Sequence, residues 1–405
     1  MTTDPMATFR RAAPLAAVLA AALGLRVALA LATPAWRSAD EYPYYWVAAM
    51  AAETGRLPRG WHGFPAYESF QPPLYYLLQV PVLSLPPGGM LEFTEERIPP
   101  PADLLRARLL SALLGTGVVA LAFAAALRAG WGRRTGLWAA GFVAVLPAFV
   151  TVSSSFSIDV LVTFFSSAAL AVILVPAERW SLRTGYWSGI LVGAALLTKL
   201  NALQLLPVLL LRITQVAAGE GRSVRKLALA SAWGILAALV LLVVRNIVQY
   251  QEVLGIMPGR ERDFAFSLAH LIWALRNLGW SFWMAFGRIY EVVPPAFVYL
   301  LAVVPMVVAA SAGWVKEWSD PQSRPLAWLA IAGVACGILL SLMLTMSYPE
   351  GTQTSWGKNL YPMLVPVAIV AVRGWERALV RWPRALPLLF LAVLLAGCLW
   401  GIAVI

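Results

Sequence analysis

Charge is what this sequence has least of. Only 13% of its 405 residues are Asp, Glu, Lys or Arg, against 60% that are hydrophobic, whereas a soluble domain carries about 25% charged residues. An ordinary soluble fold is excluded, because so much apolar surface cannot be hidden from water. Cysteine is nearly missing as well. Cys336 and Cys398 lie far apart inside apolar runs, which excludes a disulfide framework and a thiolate metal site. The two histidines, His62 and His270, fall in separate stretches without nearer ligands around them, so they do not by themselves define a metal centre, and metal binding stays open. Internal repeats, low-complexity tracts and a separate soluble domain are absent too.

What the chain does have is long hydrophobic runs. Apolar segments long enough to cross a hydrocarbon core of about 30 Å occur near residues 13–34, 104–127, 136–152, 159–176, 227–248, 293–313, 325–346, 359–374 and 386–404. The stretch 185–211 is too long for one ordinary span and is interrupted by Lys199 and Asn201, so it reads as two short helices meeting at that polar point. The expected class is an all-α integral membrane protein, one polytopic domain over 1–405 with about eleven transmembrane helices. The first run lacks a polar cleavage region and reads as a retained helix, and Arg10 and Arg11 before it place the N-terminus in the cytoplasm.

Charge also settles the one ambiguous segment, Pro72 to Pro87, which is apolar but short and bounded by proline. If it spanned, the loop of Arg128, Arg133 and Arg134 would move outside, against the preference of basic loops for the cytoplasm; as a surface helix on the outer face it leaves that loop inside. With this choice the basic loops around Arg179, Arg222, Lys316 and Arg373 to Arg384 all fall inside. The net charge of +11 is therefore a topology signal, and a nucleic-acid partner is not needed to explain it.

The unusual polar residues then collect outside: a first outer loop from 35 to 103 with amphipathic surface helices, the turn at Asp159, the break at Lys199, a second large loop from 249 to 292, and the segment 347–358. The first loop opens Ser38-Ala39-Asp40-Glu41-Tyr42. Two adjacent carboxylates beside hydrocarbon raise each other's pKa unless solvated or paired, and such a carboxylate suits general-base work. A solvated loop start is the plainer alternative. Lys199 at a helix end either snorkels to the headgroups or serves a site. Asp159 either caps its helix or joins that site, and the two roles are compatible. Arg245 reads as a headgroup or helix C-terminus contact, and the stretch Trp273 to Trp283 first as an interfacial aromatic belt.

The order of these features carries a resemblance. The acidic pair is followed by Tyr44-Tyr45-Trp46, Leu57-Pro58 and Gln71-Pro72-Pro73-Leu74-Tyr75-Tyr76. Then come Ser157-Ile158-Asp159-Val160-Leu161, Thr198-Lys199-Leu200 and Gly357-Lys358-Asn359-Leu360-Tyr361-Pro362. In this order and sidedness the chain resembles the C-type (GT-C) integral membrane glycosyltransferases, especially bacterial protein mannosyltransferase-like and aminoarabinose transferase-like proteins.

The resemblance implies transfer of a sugar from a polyprenyl-phosphate donor to an acceptor hydroxyl on a lipid, glycan or protein, with inversion, at the outer face of a bacterial inner membrane. Asp40 would be the base with Glu41 beside it; Lys199, Arg288 and Lys358 would face the donor phosphate; Asp159, Glu68, Gln71 and Tyr75 would support them. Two departures stand out. Phe70-Gln71-Pro72 replaces the more common Glu-Lys-Pro or His-Glu-Pro, and Lys358-Asn359 replaces Arg-Tyr. No Asp-X-Asp motif is present, which lowers the case for a nucleotide-sugar donor. No cofactor is identified with certainty, and a divalent metal stays open. From another class, a transporter or flippase of a lipid-linked substrate would use the same buried charges, but it calls for inverted repeats or broken midplane helices.

Overall fold

The computed structural model describes residues 5–38, 40–58, 66–83, 102–253, 267–287, 293–318, 320, 323–346, 356–378 and 384–404. Helices dominate them. Seven helical stretches are long and apolar enough to cross a membrane by length and composition: Ala12–Ala32, Ala102–Arg128, Leu200–Glu220, Val224–Tyr250, Ala296–Glu317, Ser323–Met346 and Ala385–Val404. Each coincides with an expected span. The other four expected spans are helical too, but their α-helices run only 14 to 16 residues.

In chain order the helices begin with α1 (Pro5–Ala32), α2 (Glu41–Thr54), α3 (Leu74–Gln79), α4 (Ala102–Arg128), α5 (Gly132–Val145), α6 (Pro147–Val152), α7 (Ile158–Ile173) and α8 (Leu182–Leu196). They continue with α9 (Leu205–Glu220), α10 (Val224–Tyr250), α11 (Leu268–Trp283), α12 (Ala296–Val298), α13 (Val304–Glu317), α14 (Ser323–Met346), α15 (Leu364–Ala378) and α16 (Ala385–Val404).

The segment expected as one span over 136–152 is broken between α5 and α6. Pro147 has no backbone N–H, so the carbonyl of Val143 four residues earlier loses its helical donor. The buried guanidinium of Arg26 supplies replacements, donating to Val143 O at 3.2 Å and Ala144 O at 3.2 Å, and to the Ser153 hydroxyl at 2.8 Å. An arginine inside α1 is thus the cap for a break in another helix.

Helix packing relies on small residues, as it must where lipid is as apolar as leucine and only close contact favours association. A Cβ on Gly313 would come within 1.8 Å of the Gly374 carbonyl oxygen, which is how closely α13 and α15 cross. The lipid-facing side of α10 carries exposed Trp233, Leu236, Val240, Leu241, Val244 and Val248. This apolar exterior is what a membrane bundle requires.

The expected break between 185 and 211 is present. α8 ends at Leu196, Lys199 is extended (φ −158°, ψ 138°), and a 3-10 turn Leu200–Gln204 leads into α9. The described parts of the segment between α1 and α4 pack onto the ends of the bundle helices. Tyr44, Tyr45, Tyr75 and Tyr76 from α2 and α3 form one apolar cluster with Leu104 and Ala107 of α4 and with Phe156, Ile158 and Leu161 at the start of α7. The N–H of Leu74 donates to Leu197 O at 3.0 Å, which docks α3 on the end of α8. The expected surface helix is therefore a short one, and residues 84–101 beyond it lie outside the described residues.

Candidate active site

Four separate elements bring four charged side chains into a line. Asp40 precedes α2, Asp159 opens α7, Lys199 follows α8, and Lys358 lies in the 3-10 turn Gly357–Met363 ahead of α15. The Lys358 ammonium is 2.5 Å from Asp40 Oδ2 and 3.6 Å from Asp159 Oδ2. Lys199 donates to the other oxygen of Asp159, Oδ1, at 2.7 Å. Signs alternate along the chain Asp40, Lys358, Asp159, Lys199, so each buried charge has an opposite neighbour, as burial demands.

Local structure fixes each member. Asp159 is fully buried at the N-terminus of α7, where the helix dipole favours a carboxylate. The cap itself is Ser157, whose hydroxyl accepts from the Asp159 N–H at 3.3 Å and also donates to Asp159 Oδ2 at 3.5 Å, so the carboxylate faces this hydroxyl as well as the two lysines. Lys358 is held through its turn: Gln204 and Asn201 donate to the Asn359 carbonyl at 2.9 and 3.3 Å, tying it to the turn that follows Lys199. Gly357 allows this closeness, since a Cβ there would fall 2.1 Å from the Phe282 nitrogen. Asp40 sits in the left-handed region (φ 57°, ψ 8°) and keeps 31% of its side chain exposed, against 0 to 12% for the other three.

Glu68 borders the same chain from the 3-10 turn Ala66–Phe70. Burial, and then the negative charge of Asp40, push its carboxyl up to about 7, with Lys199, the Gln71 hydrogen bond and Lys358 opposing. Gln71 donates to Glu68 Oε2 at 3.1 Å and Tyr76 donates to the Glu68 carbonyl at 2.9 Å. The Tyr44 phenol is pushed well above its ordinary value by burial and by the nearby carboxylates of Glu68, Asp40 and Asp159.

Of the expected residues, the structure therefore gathers Asp40, Asp159, Lys199, Lys358, Glu68 and Gln71. Glu41 points elsewhere. It is fully buried and accepts two bonds from Arg108, at 2.8 and 2.6 Å, and one each from the backbone N–H groups of Phe156 and Trp36, at 3.0 and 3.2 Å. The expected mutual effect of the two adjacent carboxylates gives way to this separate ion pair. Tyr75 is also fully buried, edge-on to Phe156 within the tyrosine cluster, with its hydroxyl 3.4 Å from Ser111. Arg288 and His62 lie outside the described residues.

Two contributors were not anticipated. Arg108 had a signal, an arginine within an apolar stretch, which demands a partner. Arg245, expected as a headgroup or helix C-terminus contact, reaches across to the turn Ala66–Phe70 while also meeting Gln249 and Tyr250 at the end of its own helix. Its guanidinium donates to Ser69 O at 2.6 Å and Phe70 O at 3.1 Å, and Tyr250 donates to Ser69 O at 2.7 Å. Among the described residues no group of three or more His, Cys, Asp or Glu side chains is placed to hold a metal ion. The carboxylates of Asp40 and Asp159 converge on ammonium groups instead.

Comparison with known proteins agrees with this architecture. Residues 71–250 match the family model of dolichyl-phosphate-mannose-protein mannosyltransferases. Two crystal structures of ArnT from Cupriavidus metallidurans are similar in fold. One, bound to undecaprenyl phosphate, has a TM-score of 0.57 at 15% identity, over 97% of this chain and 76% of ArnT. The other, in the apo state, has 0.53 at 16%, over 93% and 74%. The chain has the GT-C fold. The S. cerevisiae protein O-mannosyltransferase complex bound to the sugar donor matches at 21% identity and a TM-score of 0.46 over 62% of this chain, which spans 34% of that longer protein. No curated protein matches at the level of sequence. The family-model match over 71–250 takes in Glu68's neighbour Gln71, Asp159, Lys199 and Arg245, while Asp40 and Lys358 lie to either side of it.

Proposed function

We propose that the chain is a membrane glycosyltransferase that moves a sugar from a polyprenyl-phosphate-linked donor to an acceptor hydroxyl on a lipid, glycan or protein, at the outer face of a bacterial inner membrane. The observation that carries this is the charged chain from Asp40 to Lys199, drawn from four elements. Asp40 is its most exposed member and so the one an acceptor hydroxyl reaches. As general base it takes the hydroxyl proton while the oxygen attacks the anomeric carbon opposite the phosphate, and the configuration inverts.

The leaving polyprenyl phosphate gains negative charge, which needs fixed cations. Lys199 and Lys358 supply them, with Arg288 as a third. Glu68, bonded by Gln71, adds a carboxyl group close enough to feel the charge of Asp40, and Asp159 holds the lysines. Glu41, locked on Arg108, anchors the start of α2 and with it the position of Asp40. A polyprenyl phosphate donor is supported by the undecaprenyl phosphate in the similar ArnT structure and by the lipid-linked donor in the name of the matching family.

The test is transfer from a panel of radiolabelled polyprenyl-phosphate sugars by the purified protein, with the anomeric configuration of the product read by NMR. Label is expected to leave at least one donor with inversion. No turnover of any donor, together with lipid movement across vesicles, would move the assignment to a transporter.

A further inference from the structure

Lys358 is drawn in two directions. Its ammonium lies on Asp40, the proposed base, and also faces Asp159, which holds Lys199. Glu68 lies close enough to feel both lysines and Asp40. Without substrate, an ammonium 2.5 Å from Asp40 stabilises the carboxylate and so makes it a weaker base. A base held this way is idle until its cation is drawn off.

We infer that Lys358 is a charge-following cation: it restrains Asp40 in the empty site, passes to the donor phosphate when the donor binds, and stays there as the leaving group departs. This rests on the transferase assignment above and goes beyond it by ordering the events. The charge balance of the reaction supports it. A sugar polyprenyl diphosphoester is not required; a polyprenyl-phosphate sugar is a phosphodiester with one negative charge. When the acceptor oxygen bonds to the anomeric carbon and the bond from that carbon to the phosphate oxygen breaks, the electron pair leaves with the phosphate. The product is a monoester carrying about two negative charges, while the acceptor proton moves to Asp40, which becomes neutral. One negative charge is thus transferred from Asp40 to the phosphate.

Of the two lysines, Lys358 is the one in contact with Asp40, whereas Lys199 is fixed on Asp159. A lysine suits the task because its ammonium is a compact point charge on a flexible stem, able to change partner without a set geometry. Asp159, fully buried at a helix N-terminus, stays put and keeps the two ammonium groups within reach of one phosphate. Donor binding thereby frees the base only when there is a leaving group for it to work against.

The experiment measures binding of undecaprenyl phosphate, the leaving group without its sugar, to wild type, Asp40→Asn, Lys358→Met and the double variant in detergent. If Lys358 must leave Asp40 to hold phosphate, Asp40→Asn binds about tenfold tighter than wild type, Lys358→Met binds more weakly, and Asp40→Asn adds nothing in the Lys358→Met background. Lys358→Gln replaces the methionine variant if that one fails to fold. Equal tightening by Asp40→Asn in both backgrounds would mean only that a negative charge had been removed, and would overturn the inference. Unchanged or weaker binding by Asp40→Asn would overturn it too. Failure of wild type and every variant to bind the lipid phosphate would instead bring down the donor assignment itself, and this inference with it.

Discussion

Asp40 occupies a left-handed backbone conformation that non-glycine residues seldom adopt, although aspartate tolerates it better than most. Strain of this kind persists only where neighbours over-determine the backbone, and Glu41 is that neighbour, fixed by Arg108 and by two backbone donors. Glu68 makes the next carboxylate's behaviour testable. Its folded-state carboxyl sits near 7, raised from an ordinary 4.5 by burial and then by Asp40, so the folded protein holds a proton there that the unfolded chain releases. The stabilisation is complete below pH 4.5 and is lost as pH rises through about 7. Glu68→Gln is therefore expected to flatten the fall in thermal stability between pH 5 and 8, measured in detergent; an unchanged slope would show that Glu68 ionises normally.

At the scale of elements, the turn that carries Glu68 is gripped from a distant helix. Arg245 and Tyr250 of α10 bind the carbonyls of Ser69 and Phe70, and Tyr76 of α3 binds that of Glu68. Arg245→Met should leave the bundle folded but let this turn drift. A displacement of about 1 Å beside the reacting groups costs on the order of a hundredfold in rate, so kcat should fall strongly, while Arg245→Lys restores only part of it because one ammonium cannot span two carbonyls. Steady-state kinetics on both variants check this.

The same elements show what a sequence reveals. The break at Lys199 was legible because a lysine and an asparagine interrupt an apolar stretch too long for one helix. The break at Pro147 was not, since the apolar run continues through it and the compensating donors come from Arg26, far away in the chain. Likewise Asp40 and Glu41 look alike side by side, and only the fold, by bringing Arg108 from 67 residues away, sends them to different tasks. Lys358 and Asp40 are separated by 318 residues, and a resemblance in motif order placed both in one site before any contact could be seen.

For the whole molecule, a bundle with a lipid-facing exterior carries its charged chain where α2, α7, α8 and α15 begin or end. Asp40 lies just before α2 and Lys199 just after α8, while Asp159 opens α7 and Lys358 precedes α15, so four helix ends far apart in sequence meet. The GT-C fold supplies this arrangement, and the proposed chemistry rests on the four side chains. The most direct test of that claim is sugar transfer by Asp40→Asn beside wild type, both shown to be folded by the same unfolding transition. The account predicts that transfer falls by at least about a hundredfold, the contribution of a general base, while undecaprenyl phosphate binds about tenfold more tightly. Transfer at the wild-type rate by the folded variant would contradict it, and would remove Asp40 as the base around which the site is built.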